Sequence, residues 1–305
     1  MNASAPHHRL RRDFADARKS FGGMELPRIP YSERTRARLF LEGLYRSEPV
    51  ARAVGGAADL LDRLHDSRDP GLPPRRLQMA VGGGDYRSVG EEFRGHFVDL
   101  AGLEPHHDVL DVGSGSGRMA FALKDWLTGT YEGFDVVPAA IEWCQREIAS
   151  RHPNFRFQLA DIRSERYNPG GARDAAGYRF AYPDDSFDFA LLTSVFTHLP
   201  RAAVGNYLGE LARVLRPGGR CLATYFLMND DALRVMGGPG QFGVEQDGQL
   251  VVDERVPERA VAFPEDDIRE LHERNGLPIE SVHYGSWCGR KQYTSFQDIT
   301  ISIRS

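Results

Sequence analysis

The sequence predicts an α/β protein built on a doubly wound, mostly parallel sheet. Short apolar runs alternate with stretches of helical periodicity between residues 108 and 227. The first of these runs leads directly into a glycine-rich turn that opens a helix. Alternation of strands and helices is typical of a parallel sheet covered by helices on both faces.

The overall composition indicates a folded protein rather than a disordered, collagen-like or membrane-spanning one. Of the 305 residues, 41% are hydrophobic and 27% are charged, as in soluble globular proteins. No stretch approaches the ~20 apolar residues that a bilayer span requires. The cysteines, Cys144, Cys221 and Cys288, are far apart and lack the spacing of a disulfide framework or a zinc site. We therefore expect a cytoplasmic protein without a membrane partner or a bound metal.

The charge distribution is uneven along the chain. The formal net charge is −5, which argues against a nucleic-acid partner. Residues 1–80 are nevertheless net positive, and the remainder is strongly net negative. An Arg-rich, solvated helical surface is the simpler explanation of this asymmetry, and an anionic partner stays open as the other.

The N-terminal part precedes the predicted sheet and divides into two segments. Residues 1–30 are polar, Arg-rich and interrupted by prolines, which predicts a flexible basic arm. Residues 31–80 form a predicted helical cap, with helical periodicity over 32–46 and 49–66. This cap could serve as a lid or as a subunit contact, so a homo-oligomer stays open.

The main predicted domain, residues 81–305, begins with a helix. Ser88 is its predicted N-cap, because the sequence S-V-G-E places Glu91 three residues later as a capping box, and Gly102 is its predicted end. The alternating elements follow: strands at 108–112, 130–135, 155–160, 187–193 and 219–227, and helices at 116–127, 138–150 and 200–215.

Two insertions interrupt this alternation. Residues 162–186 form a polar connection that is longer than a simple crossover needs, and such loops are usually functional or disordered. Residues 237–262 contain a predicted hairpin on an Asp247-Gly248 type I′ turn. We expect both insertions over one end of the sheet, followed by a helix at 264–275 and strands near 279–287 and 296–303.

The glycine-rich turn is the most informative segment of the sequence. In VLDVGSGSGRMA, the residues Gly113, Gly115 and Gly117 let the backbone turn tightly and let a ligand approach main-chain N–H groups near a helix N-terminus. Asp135 ends the next predicted strand, where a carboxylate can accept hydrogen bonds from both hydroxyls of a ribose. The two features together predict an adenosine-containing cofactor.

The spacing of the glycines decides between cofactors. A dinucleotide fingerprint needs a third glycine at the position that Arg118 occupies, which disfavours a nicotinamide oxidoreductase. Asp111 stands beside the turn, where its carboxylate would repel a pyrophosphate and attract a cationic, sulfonium-bearing amino acid.

The sequence resembles the class I S-adenosylmethionine-dependent methyltransferases over roughly residues 80–305. The segments that carry the resemblance are VLDVGSGSG, YEGFD, FRFQLAD, DDSFDFALLTSVFTHL and LARVLRPGGRCLATYF. A looser likeness, to bacterial small-molecule methyltransferases of polysaccharide and natural-product pathways, lies in GGGDYRSVG, IEWC, YNPGG and SWCGRKQYTSFQDI. The resemblance implies a Rossmann-like, seven-stranded sheet with an antiparallel last strand, and S-adenosyl-L-methionine as cofactor.

The same resemblance assigns roles to individual residues. It implies that the turn binds the methionine part of the cofactor, that Asp111 either orders the turn or contacts the ammonium group, and that Asp135 binds the ribose. Adenine would contact Val136, Asp161 and the N–H of Ile162. Further cofactor contacts are implied for Gly113, Ser114, Gly115, Gly117 and Ser194. Tyr86 is implied to close over the cofactor, and a purely structural role is its alternative.

A hydroxyl acceptor requires a base, and His198 is the predicted one because it follows the carboxyl end of the fourth strand. The alternative is that this imidazole only bonds a loop carbonyl. Arg290 and Tyr225 are weaker candidates for holding the substrate. No acidic cluster has the spacing of a metal site.

The sequence thus favours a methyltransferase that acts on a hydroxyl of a small molecule, such as a sugar, a glycoside or another natural product. One alternative is an N-methyltransferase for a small-molecule amine, which has less need of a base. Another is a catalytically silent, methyltransferase-like partner subunit, which the presence of Asp111, the glycines, Asp135 and Asp161 disfavours.

Overall fold

The computed structural model describes residues 71–80 and 84–305, together with the single positions Gly56 and Asp59. The described residues belong to one compact unit, Arg52–Ser305. Apart from Gly56 and Asp59, the predicted basic arm and both predicted helices of the N-terminal cap lie outside the described residues.

Eleven strands and seven α-helices occur in the described part of the chain. The strands are β1 (Val109–Val112), β2 (Tyr131–Asp135), β3 (Phe155–Leu159), β4 (Phe187–Leu192), β5 (Leu215–Tyr225), β6 (Leu227–Met228), β7 (Val244–Gln246), β8 (Gln249–Val251), β9 (Val261–Pro264), β10 (Ile279–His283) and β11 (Asp298–Ile303). The α-helices are α1 (Arg75–Ala80), α2 (Tyr86–Asp99), α3 (Arg118–Leu123), α4 (Pro138–Cys144), α5 (Arg201–Val214), α6 (Asp230–Met236) and α7 (Glu265–Arg274).

The main sheet has seven strands in the order β10-β11-β5-β4-β1-β2-β3. The pairs from β5 through β3 are parallel, whereas β11 runs antiparallel to both of its neighbours. This arrangement confirms the predicted doubly wound sheet with an antiparallel last strand. The carboxyl ends of β1, β2 and β4 meet at one edge, where ligands bind in open α/β sheets.

Both faces of the sheet are buried, as the apolar runs predict. Along β1, Val109 packs in one core layer and Leu110 in the other, because successive strand residues point to opposite faces. Phe93 and Phe97 of α2 cover one face, and α5 covers the other. Helices packed on both faces therefore hold the strands of the sheet in place.

The 237–262 insertion contributes to a second sheet. Its four strands have the order β6-β9-β8-β7. Asp247 and Gly248 connect β7 to β8 with φ angles of 53° and 77°, so the predicted turn with two left-handed residues is confirmed. The short helix α6, directly before this insertion, is absent from the sequence prediction.

Several predicted element boundaries were wrong, and each has a local cause. The N-cap of α2 is Asp85 rather than Ser88, since the Asp85 carboxylate accepts hydrogen bonds from the Ser88 N–H (2.9 Å) and hydroxyl (2.8 Å). Helix α3 begins at Arg118, two residues later than predicted, because Gly117 has a φ of 79°, which no α-helical residue adopts. Helix α4 ends at Cys144 and continues as a π-helical turn over Gln145–Ala149.

No helix within residues 71–80 and 84–305 is both long enough and apolar enough to cross a membrane.

Candidate active site

The glycine-rich turn between β1 and α3 has the backbone geometry that its sequence predicts. Gly113, Gly115 and Gly117 have φ angles of 77°, 52° and 79°, which residues other than glycine rarely adopt. A Cβ atom at Gly113 would lie 2.5 Å from Val195 Cγ2, and one at Gly117 would lie 2.7 Å from Ile148 Cδ1. The turn therefore requires glycine for its conformation and also for its packing.

Asp135 lies beside this turn, as predicted. Its carboxylate accepts hydrogen bonds from the N–H of Gly115 (2.8 Å) and the N–H of Val137 (2.9 Å). Burial raises the pKa of Asp135, and these backbone donors oppose the rise. The side chain is only half-buried, so a ligand can reach it.

Asp111 is buried beneath the turn with one oxygen engaged. The Tyr131 hydroxyl donates to Asp111 Oδ2, and Oδ1 has no hydrogen-bond partner among the described residues. Burial raises the pKa of Asp111 to about 7, against the opposing effect of the Tyr131 bond. The buried Ser114 hydroxyl also lacks a partner within the described part of the chain. Unpartnered buried polar atoms cost free energy, so both groups fit a polar ligand such as the predicted cofactor.

Tyr86 closes the outer side of the turn. Its hydroxyl donates to the Ser116 carbonyl at 2.7 Å, and its side chain is only 2% exposed. The Arg118 guanidinium lies over the Tyr86 ring at 5.4 Å, a contact that the sequence analysis did not predict. Tyr86 therefore stabilises the conformation of the turn.

The three residues assigned to adenine occupy the ends of β2 and β3. Val136 is half-buried and packs against the core. The exposed Asp161 carboxylate accepts from the Ala172 N–H at 3.0 Å, and the Ile162 N–H donates to the Ala160 carbonyl at 2.9 Å. Both polar groups are thus engaged within the chain in this conformation.

Ser194 follows β4 in a left-handed conformation with a φ of 60°, which is unusual for a residue with a side chain. Its N–H donates to Thr224 Oγ1 at 2.7 Å, and its hydroxyl donates to Gln297 Oε1 at 2.9 Å. The next residue, Val195, is the one that packs against Gly113. Sequence reasoning missed Thr224 and Gln297, since only the sheet order brings them here.

His198 ends the 3₁₀ turn Phe196–His198 after β4. A carbonyl oxygen can only accept, so the ring Nδ1–H donates to the Glu258 carbonyl at 2.9 Å. Burial and the positive charge of Arg166 lower the pKa of His198 to about 4. The ring is therefore neutral at pH 7, with its proton on Nδ1 and its lone pair on Nε2.

The prediction that Arg290 and Tyr225 hold the substrate is wrong. The Tyr225 side chain is fully buried, and its hydroxyl lies 2.8 Å from His272 Nε2. Arg290 is also buried, where it pairs with Asp231 and Asp298. Both side chains stabilise the core instead.

One group of His and Glu side chains in the described part of the chain could share a metal ion, namely Glu104, His106 and His107. They lie on the turn before β1, at the sheet edge opposite the glycine-rich turn, so a metal there would take no part in chemistry at the turn.

Comparison with known proteins shows which proteins the segment around this site is similar to. Residues 109–219 match a family model described as a methyltransferase domain. A demethylmenaquinone methyltransferase of Thermus thermophilus is 30% identical over 135 residues, which are 44% of this chain and 54% of the relative. A fatty-acid O-methyltransferase of Mycolicibacterium smegmatis is 36% identical over 124 residues, or 40% of this chain and 36% of the relative. The chain thus spans about half or less of the length of these curated relatives.

The fold has a solved counterpart as well. The crystal structure of the PH0226 protein from Pyrococcus horikoshii superposes with a TM-score of 0.51 and 16% identity, covering 74% of this chain and 93% of that one. The family match covers β1 to the middle of β5, and so includes the glycine-rich turn, Asp135 and the Ser194 turn. The chain therefore contains a segment, residues 109–219, that matches a methyltransferase domain and includes the glycine-rich turn.

Proposed function

We propose that the protein transfers the methyl group of S-adenosyl-L-methionine to a hydroxyl of a small molecule, such as a sugar, a glycoside or another natural product. The observation that carries the proposal is the pair of buried, unpartnered groups, Asp111 Oδ1 and the Ser114 hydroxyl, beside a turn that also contacts Asp135. A relative named as a fatty-acid O-methyltransferase supports an oxygen acceptor.

In this proposal, neighbouring elements of the chain bind different parts of the cofactor. The backbone from Gly113 to Gly117 and the carboxylate of Asp111 bind the methionine part, because a carboxylate attracts an ammonium group strongly in a buried site. The Asp135 carboxylate accepts hydrogen bonds from the ribose hydroxyls in place of those from the backbone N–H groups of Gly115 and Val137. Val136, Asp161 and Ile162 bind adenine, Ser194 contacts the methionine part, and Tyr86 keeps the turn closed.

The bound cofactor supplies a methyl group on a positively charged sulfur, which is already activated for displacement. The task of the protein is to orient the acceptor oxygen in line with that group. Well-oriented reactants gain ~7–11 kcal/mol over reactants in solution. The residue 162–186 connection and the second sheet, which meet at His198, would exclude water there.

His198 accepts the hydroxyl proton at Nε2 in this mechanism, because Nδ1 is held by the Glu258 carbonyl. A pKa of about 4 keeps the imidazole in its basic form at every pH above that value. The acid limb of kcat should therefore lie near pH 4. An unperturbed histidine would place it near about 6.5.

The test is a screen of hydroxyl and amine compounds with detection of S-adenosylhomocysteine, run on wild type and His198→Ala. With a hydroxyl acceptor, His198→Ala should lower kcat by ~10²–10⁴-fold. His106→Ala is the matched control, because this exposed histidine lies at the opposite sheet edge. Turnover of amines alone, or an unchanged kcat in His198→Ala, would overturn the hydroxyl proposal.

A further inference from the structure

Exposed apolar side chains are concentrated on one loop of the described structure. The large hydrophobic residues that are strongly exposed within residues 71–80 and 84–305 are Leu159, Val235, Tyr293 and Phe296, the last two at 60% and 63%. Tyr293 and Phe296 belong to residues 284–297, which connect β10 to β11 and are called here the β10–β11 loop. Val235 lies against Gly289 of the same loop. Exposed apolar side chains that lie on one loop can mark a ligand-binding surface.

This loop is firmly anchored at its base. The fully buried carboxylate of Asp298 accepts hydrogen bonds from the N–H of Gly285 (2.7 Å), the N–H of Leu227 (2.8 Å) and the indole N–H of Trp287 (2.6 Å). Arg290 adds an ion pair to the same carboxylate at 3.3 Å. The exposed rings are therefore carried by a rigid base.

The two arms of the loop also pair with each other. The N–H of Trp287 donates to the Phe296 carbonyl at 3.0 Å, and the N–H of Ser286 donates to the Ser295 carbonyl at 3.0 Å. This pairing holds the backbone of Phe296 in place, which limits the positions that its ring can take. A preorganised side chain binds a ligand at a lower entropic cost than a mobile one.

Two contacts place the loop beside the glycine-rich turn. Gln297 accepts from the Ser194 hydroxyl at 2.9 Å, and the neighbouring Val195 packs on Gly113. The Ser295 hydroxyl donates to Glu92 Oε1 at 2.6 Å, and Glu92 belongs to helix α2, which begins at Tyr86. The β10–β11 loop thus connects the two elements that border the turn, on the side of β4 and β5.

The loop surface is aromatic in character. The Phe296 ring meets the Phe226 ring edge-to-face at 6.3 Å. Phe226 in turn contacts Trp287 at 5.3 Å and the buried Phe242 at 5.4 Å. Phe296 therefore extends a buried aromatic cluster out to the surface, where its face can stack on a planar ring.

The size of the surface favours a small occupant. Two exposed rings and one valine offer on the order of 300 Å², given about 150–250 Å² for a fully buried aromatic side chain. A stable protein interface needs about 800 Å² per partner. A single ring system can cover this surface, whereas a second copy of the chain would leave most of its interface unsupported.

We propose that Tyr293 and Phe296 bind a planar, conjugated ring of the acceptor, so that the acceptor is an aromatic alcohol or a glycoside with an aromatic group. This inference rests on the proposed function and narrows its substrate class.

The experiment is calorimetric titration of protein saturated with S-adenosylhomocysteine, using 2-naphthol and its saturated analogue decahydro-2-naphthol as probes. The two probes share a skeleton and a hydroxyl and differ in the planar π system. The expected result is at least about tenfold tighter binding of 2-naphthol, since stacking adds to simple burial. Equal affinities, or no binding of 2-naphthol, overturn the proposal.

Variants then test whether the β10–β11 loop is responsible. Phe296→Ala should weaken 2-naphthol binding by about tenfold, and Phe296→Tyr should restore it because the ring is kept. Leu159→Ala is the matched control, since it removes a comparably exposed apolar side chain elsewhere. Unchanged 2-naphthol affinity in Phe296→Ala overturns the assignment.

The titration with S-adenosylhomocysteine separates this inference from the proposed function. If that ligand binds wild type normally and 2-naphthol does not, only the aromatic-acceptor proposal fails. If S-adenosylhomocysteine itself does not bind, the proposed function fails and this inference with it.

Discussion

The glycine-rich turn and the β10–β11 loop border the same edge of the sheet, but different interactions hold them. At the turn, the backbone N–H of Gly115 contacts Asp135, only 20 residues away in sequence. At the loop, side chains reach across much longer separations: 103 residues from Ser194 to Gln297 and 203 residues from Glu92 to Ser295. The cofactor side therefore depends on local backbone geometry, and the acceptor side on long-range side-chain contacts.

Replacement of Asp298 with Ala should have the largest effect, which we expect on the stability of the fold and on the acceptor side more than on cofactor binding. The substitution leaves Arg290 buried without this carboxylate and removes the acceptor of three N–H donors, so the free energy of unfolding should fall by about 3–5 kcal/mol. Urea denaturation measures this change, and Asp184→Ala, at an exposed ion pair, should cause little.

The same variant separates the two regions. S-adenosylhomocysteine should still bind Asp298→Ala with nearly wild-type affinity, measured well below its unfolding midpoint. If Asp298→Ala does not fold, Asp298→Asn keeps one acceptor oxygen and serves in its place. A parallel loss of cofactor affinity would show that the two regions are not independent.

Gly113→Ala should produce the converse result. A side chain at a φ of 77° is strained, and its Cβ would also overlap Val195. We expect S-adenosylhomocysteine affinity to fall by about 100-fold, which corresponds to ~2.7 kcal/mol. Gly276→Ala is the matched control, because its φ of 71° imposes similar strain while its Cβ would meet open space. Equal losses in the two variants would leave the turn without a special role.

Cofactor affinity should also depend on pH through Asp111. Its pKa of about 7 means that the carboxyl is protonated below that pH, and a neutral carboxyl attracts an ammonium group only weakly. The Kd for S-adenosylhomocysteine should therefore rise as the pH falls from 7 to 5.5, with a limiting slope of about tenfold per pH unit. Asp111→Asn should flatten the profile, and an unchanged slope in that variant would assign the titration to another group.

Tyr86→Phe should have the smallest effect. Loss of the hydroxyl leaves the Ser116 carbonyl without this donor, which should lower the free energy of unfolding by about 1 kcal/mol. Cofactor affinity should fall by less than about tenfold, because the ring still packs over the turn. A loss as large as that of Gly113→Ala would make Tyr86 a direct ligand of the cofactor.

The sequence predicted the features that local chemistry determines. Strand and helix alternation predicted the sheet, and the glycines with Asp111 and Asp135 predicted the turn, because each signal lies within about one βαβ unit. The Asp247-Gly248 hairpin was readable for the same reason, since two residues with positive φ determine it.

What the sequence did not predict depends on contacts between distant segments. The hydrogen bonds of Asp298, the pairing of β6 with β9 and the contact of Gln297 with Ser194 appear only once the chain is folded. The wrong N-cap of α2 had another cause: Asp85 and Ser88 are both good capping residues three positions apart, and the sequence does not rank them. Arg290 likewise seemed suited to a substrate because the sequence does not show that folding buries it between Asp231 and Asp298.

The central claim is that the turn after β1, together with Asp135, binds the adenosine-containing cofactor, and calorimetric titration with S-adenosylhomocysteine tests it most directly. The account predicts one binding site per chain in wild type and at least about tenfold weaker binding in Asp135→Ala, because two charge-assisted hydrogen bonds are lost. Absence of binding to wild type at millimolar ligand, or equal affinity in Asp135→Ala, would contradict it.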